Sequence, residues 1–177
     1  LKLNGGVSID AGGVLRLTKD LDTGTAKIKL NGGLLYIDSN TTLNSSITHL
    51  AASTIKIAET KTLKYEAMTL KIGASVLSMN GGGSFINTNP LELDNAESQL
   101  KLSGVSVNYV RTSADSQGLI VETSSSVNEM IVGHLLPVSI SENQYLDGLI
   151  EVYSNSNLQL NNTGTLAANV IISGLGG

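Results

Sequence analysis

The chain has no cysteine and no tryptophan, one phenylalanine, two prolines and two arginines, Arg16 and Arg111. Without cysteine there can be no disulfide framework, no thiolate metal site and no cysteine nucleophile. With 11 basic against 15 acidic side chains, and only five tyrosines beside the single phenylalanine, it offers neither a basic stripe for phosphates nor platforms on which bases could stack. Nucleic acid is therefore not an expected partner. Apolar runs are short: Val170-Ile171-Ile172 falls far below the roughly 20 residues that a bilayer-spanning helix needs. At 41% hydrophobic and 15% charged residues the composition is not that of a disordered tail, and 177 residues suit one domain with a sizeable core.

What the chain has instead is alternation. Val7-Ser8-Ile9, Leu15-Arg16-Leu17, Ile28-Lys29-Leu30, Ile55-Lys56-Ile57, Leu91-Glu92-Leu93, Leu100-Lys101-Leu102 and Leu158-Gln159-Leu160 each place apolar residues two apart with a polar residue between them, the period of a strand with one buried face. Asn4-Gly5-Gly6, Gly12-Gly13, Asn31-Gly32-Gly33, Asn80-Gly81-Gly82-Gly83 and Ser103-Gly104 separate these pieces and read as tight corners. Ser53 to Leu70 contains Ala, Glu and Lys, yet alternates at Ile55-Lys56-Ile57 and Leu63-Lys64-Tyr65 and reads as strands.

Leu1-Lys2-Leu3-Asn4-Gly5-Gly6-Val7 recurs as Ile28-Lys29-Leu30-Asn31-Gly32-Gly33-Leu34, with a looser copy at Leu100-Lys101-Leu102-Ser103-Gly104-Val105. Strand starts every six or seven residues fit a coil of about 20 residues with three strands, or about 27 with four, and the spacing leaves both open. A β-sandwich competes, but strands this short and a core so dominated by Leu, Ile and Val favour a parallel β-solenoid, in which like residues stack in ladders. The expected fold is all-β, a single right-handed parallel β-helix over residues 1–177, with a looser, loop-bearing region at about 108–147, with loops at Thr112–Gly118 and Thr123–Ser126, that would offer a binding face. Both termini start or finish in pattern without a cap, which suggests a segment of a longer solenoid or end-to-end stacking of like subunits.

The Leu-x-Leu-x-Gly-Gly texture, rich in Asn, Ser, Thr and Gly, resembles the β-helical repeats of large secreted bacterial adhesins of the filamentous-haemagglutinin and autotransporter-passenger type. The resemblance implies an extracellular, cell-surface stalk or contact surface whose partners are host or surface glycans and proteins, or further copies of itself. It implies no cofactor.

An enzymatic alternative, a polysaccharide lyase or hydrolase, or a carbohydrate-binding module, rests on carboxylates two apart on an outer face, because a glycosidase needs paired carboxyl groups. Glu92 with Asp94 is the better pair, since Leu91 and Leu93 would point inward; Lys71 or Lys101 would be the basic neighbour. Asp20 with Asp22 is the second pair, and Asp22-Thr23-Gly24 also matches the triplet of aspartic proteases, with no second copy. Gly81-Gly82-Gly83-Ser84-Phe85 lacks the aspartate a calcium-binding repeat would place there. His49 and His134 are isolated, in no metal-binding spacing, and read as surface or packing residues. No serine sits in a nucleophile elbow, and the Asn-x-Ser/Thr matches at Asn40, Asn44 and Asn161 are what this composition produces by chance.

Overall fold

The computed structural model describes residues 5–21, 26–161 and 163–173. Its described residues contain strands and turns and no helix, wound into a parallel β-solenoid of about 8 turns. Among the described residues no helix is therefore long and apolar enough to cross a membrane.

Three walls make the tube. The first begins with β1 (Val7–Asp10), β3 (Ile28–Asn31), β6 (Ile47–Ala51), β9 (Leu70–Ile72) and β12 (Leu91–Leu93). The second stacks β2 (Val14–Leu17), β4 (Leu34–Ile37), β7 (Ser53–Ile57), β10 (Val76–Asn80), β13 (Gln99–Ser103), β15 (Gly118–Thr123), β17 (Leu135–Ile140) and β19 (Asn157–Leu160) as one eight-stranded sheet. The third stacks β5 (Thr41–Leu43), β8 (Thr62–Tyr65), β11 (Ser84–Asn87), β14 (Ser106–Thr112), β16 (Ser125–Val132), β18 (Tyr145–Tyr153) and β20 (Thr165–Leu166), and β21 (Asn169–Ser173) pairs with the end of β18.

Register fixes the coil. Val7 pairs with Ile28, 21 residues on, Val110 with Met130, 20 on, and Ser53 with Leu77, 24 on. Of the two coil sizes open in the sequence, the three-strand coil near 20 residues is the one present. The most visible repeat does not mark it: its first copy, Leu1-Lys2-Leu3, lies outside the described residues, Ile28-Lys29-Leu30 stacks on Val7-Ser8-Ile9, and the looser copy, Leu100-Lys101-Leu102, lies on a different wall. The motif encodes a strand followed by a corner, and it recurs wherever a corner is needed.

Inside, the second wall carries the ladder Leu35–Ile55–Met79–Leu102–Val121–Ile140 and, beside it, Leu77–Leu100–Leu119–Val138. All of these are at most 2% exposed. At about 1.5 to 3 kcal/mol per buried aliphatic side chain, such ladders hold the tube together without disulfides. In the last described coil the equivalent inward residues Leu160, Val170 and Ile172 are 50%, 41% and 79% exposed, whereas Ile9, Leu17 and Leu21 at the other end are 3%, 3% and 1% exposed.

Of the two loops expected within residues 108–147, the connection between β14 and β15 is present and short, and the other is not there. β14, β16 and β18 are the longest strands of the molecule, because each runs from the third wall into the first across a bend that elsewhere is a separate corner. Thr123–Ser126 contains only a one-residue break between β15 and β16. Ser125 points inward there, donating to the Thr123 carbonyl at 2.9 Å, and the Ser124 amide donates to the Gln144 side chain at 2.9 Å. Hydroxyls that suggested loops are satisfying a corner. Residues 113–117 are that connection, and Thr112, at the end of β14, accepts at Oγ1 from the Gly133 and His134 amides at 2.9 and 3.2 Å.

Asn87, 1% exposed, holds the bend of β14. Its Nδ2 donates to the carbonyls of Asn89 and Tyr109 at 2.8 and 2.7 Å, and its Oδ1 accepts from the Tyr109 amide at 3.2 Å. Asn87→Leu leaves all three backbone groups without that partner, at about 1 to 3 kcal/mol per buried group. We expect a loss of at least about 3 kcal/mol in urea unfolding; an unchanged midpoint would show that the bend holds itself.

Candidate functional site

The alternation of β12 sends Leu91 and Leu93 into the core, both fully buried, and turns Glu92 outward as the sequence predicts. Pairing then decides what Glu92 meets. Lys71 of β9 lies opposite it on one side and Arg111 of β14 on the other. Arg111 Nε donates to Glu92 Oε1 at 3.2 Å, and its Nη2 donates to the same oxygen. Lys71 Nζ is 3.8 Å from Glu92 Oε2 and 3.1 Å from Asp94 Oδ2. The cations lie over the carboxylate so closely that the Glu92 side chain, though on the outer face, is only 6% exposed. Burial pushes its carboxyl up, but the hydrogen bonds of Arg111 and Ser113 and the charges of Arg111 and Lys71 outweigh it and hold the group below the ordinary glutamate range.

This arrangement ties three coils together through their side chains. Lys101, the other candidate cation, is on the second wall and pairs with Glu122 at 2.6 Å. Asp20 caps a corner, accepting from the Thr42 amide at 2.7 Å; Asp22 lies outside the described residues. Arg111 was missed in the sequence because it stands 19 residues from Glu92, a distance that means something only once the coil length is known. Gly81 and Gly82 are corner residues with positive φ, as read. His134 is half-exposed, 3.9 Å from Asp115. No group of three or more His, Cys, Asp or Glu side chains that could hold a metal exists among the described residues.

No family model, curated protein or solved structure matches the chain. Two surface features stand out beside the Glu92 cluster. One is a shallow trough of about 420 Å³ at the bend of the third wall, where Ser84, Ser106, Ser126 and Asp147 stack in one row and Asn108 and Asn128 border it. Ser126 donates to Ser106 at 2.9 Å, and Asn128 to Asn108 at 3.3 Å, so β14 and β16 are joined through these side chains as well.

The other is a cleft of about 300 Å³ on the first wall between β6 and β9. The wall is hydrogen-bonded from β1 through β3 to β6, and again from β9 to β12, but β6 and β9 do not pair. At this break the hydroxyl of Tyr65, at the inward end of β8, accepts the Ile47 amide at 3.0 Å. Its ring stacks on Phe85 at 5.8 Å, and only 1% of it is exposed. Beside this break His49, in register with the inward Leu30, is 6% exposed. Its Nδ1 lies 3.5 Å from the Ser75 hydroxyl, and its Nε2 is buried without a hydrogen-bond partner among the described residues. Burial lowers the affinity of the ring for a proton, against a backbone interaction with Val76 that raises it.

An unpaired ring nitrogen in an aliphatic ladder is a cost of about 1 to 3 kcal/mol. His49→Leu continues the column above Leu30 with a side chain of similar size. We expect it to raise stability by about 1 kcal/mol in urea unfolding; a loss of stability would mean that the imidazole is better satisfied than its surroundings suggest.

Proposed function

We propose that the chain is a segment of an extracellular, surface-exposed bacterial adhesin, a rigid rod that presents polar outer rungs to a partner. The observation that supports it most is the fate of the outer charges. The carboxylates placed to act as an acid–base pair are bound to cations of neighbouring coils, as Glu92 and Asp94 are by Lys71 and Arg111. The same use of outer side chains recurs on the second wall, where Tyr36 lies between Arg16 and Lys56, each 5.5 Å from its ring, and Arg16 bonds to Asp38. Outer charge that joins coils suits a load-bearing tube with many weak contacts spread along it, from which avidity grows. Beads coated with the chain should adhere to glycan- or protein-coated surfaces far better than beads coated with a heat-unfolded control. Equal retention of both would remove the adhesin reading.

The carbohydrate-active alternative keeps one point in its favour, a lysine beside the Glu92–Asp94 pair. If it held, the purified chain would cleave acidic or neutral polysaccharides and the double variant Glu92→Ala/Asp94→Ala would lose that turnover. A fibre subunit is the third reading. Negative-stain microscopy over a concentration series separates it from a rod: fibres that lengthen with concentration favour assembly, and isolated rods at all concentrations remove it.

A further inference from the structure

We infer that a proton on His49 opens the first wall between β6 and β9, so that mildly acid surroundings loosen this stretch of the tube while the other two walls stay paired. The inference does not depend on the adhesin reading and would stand if that reading failed.

Three observations lead to it. The first is where the ring stands. His49 is in the inward row, in register with Leu30 and 6% exposed, with Ile47 on the same face of its strand. Ser75 lies 3.5 Å from its Nδ1, and its Nε2 is buried without a hydrogen-bond partner among the described residues. Whichever nitrogen carries the proton of the neutral ring, a second proton completes a cation with two N–H donors among aliphatic side chains. A charge so placed is costly unless it is paired or hydrated.

The second is that nothing pairs it. β3 presents Leu30 inward and Lys29 outward, and β9 presents Leu70 and Ile72 inward and Lys71 outward. Lys71 is held by Glu92 and Asp94, and Lys27 and Asp94 line the cleft outside the core. From β8 comes the Tyr65 hydroxyl, occupied by the Ile47 amide. No carboxylate forms an ion pair with His49 among the described residues. Burial lowers the affinity of the ring for a proton and outweighs the backbone of Val76, which favours the charged form.

The third is how the wall is held here. β6 and β9 do not pair, whereas β4, β7 and β10 on the second wall and β5, β8 and β11 on the third are continuous past the same point. Water therefore reaches His49 without breaking a ladder of backbone hydrogen bonds, and a charged ring needs that water. Opening also bares Ile47, Leu70 and Ile72, at most 5% exposed in the closed wall, so the acid form offers an apolar strip that the neutral form hides.

The sign follows from linkage. In the opened wall the ring takes up a proton at its ordinary value near 6.5, and in the closed wall only at lower pH. The closed form is thus fully favoured above about 6.5 and loses ground as pH falls below it. Between pH 7.5 and 5.5 the opened population should rise about tenfold.

The test is amide hydrogen exchange of the whole chain by NMR at those two pH values, with rates corrected for the pH dependence of a free amide. Protection of the Ile47 amide, which the Tyr65 hydroxyl accepts, should fall about tenfold at pH 5.5, and the amides of β15 should keep theirs. His49→Leu should remove the pH dependence at Ile47, and His134→Gln, which changes the other histidine, should leave it in place. Protection at Ile47 that does not change with pH, a change that survives in His49→Leu, or an equal loss in β15 would each overturn the inference.

Discussion

Gly118→Ala is expected to destabilise the protein by about 3 kcal/mol or more, because it combines a left-handed backbone with a missing space. Gly118 opens β15 at φ +103, and a methyl group there would run into the carbonyl of Pro137 in the next coil. Gly148, at φ +131, meets the carbonyl of Val127 in the same way. Neither carbonyl can step aside, since each belongs to a strand stacked on the glycine's own. Solenoid coils touch only their neighbours, so the damage should stay local. Hydrogen exchange should quicken in β15 and β17 of the variant while β4 and β7 keep their protection. A uniform change, or an unaltered urea midpoint, would contradict the picture of a nearest-neighbour stack.

Arg111→Ala is expected to cost about 2 kcal/mol at pH 7, less than for a fully buried pair because Arg111 keeps 40% of its side chain in water. Its pH dependence is more telling. In the native protein Glu92 is held below the ordinary glutamate range, so its contribution is present above the unfolded-state value and is lost as pH falls through the lower folded one. Without Arg111, burial has far less to oppose it and the folded-state value rises above the unfolded one. The charged form is then a burden at pH 7 that protonation relieves. The penalty of Arg111→Ala should therefore shrink as pH is lowered from 7 toward 4, while Glu92→Gln in the same background should recover part of the stability at pH 7. A penalty that stays constant over that range would mean that water, not Arg111, solvates Glu92.

Much of this architecture could be read before any coordinates. Leu91-Glu92-Leu93 already declared which residues face inward, and the close spacing of Val7, Val14, Leu21 and Ile28 already admitted a three-walled coil. What could not be read is anything that depends on which rung lies above which. The repeated Ile28-to-Leu34 motif pointed to a 27-residue offset that the register does not use, because strand-then-corner is a local instruction shared by all walls. Ser125 and Asn87 look like loop residues by composition, yet both turn inward and satisfy backbone groups at corners. That Arg111 covers Glu92 and that the Tyr65 hydroxyl takes the Ile47 amide went unread for the same reason: neither relation is local in sequence.

The break in the first wall has a mechanical consequence. Two walls of the tube are continuous sheets, while the first is interrupted between β6 and β9. A rod reinforced on two sides and notched on the third does not flex equally in all directions. It yields by opening the notch, with the coils up to β6 tilting as one block against those from β9 onward, and the two intact walls act as the hinge.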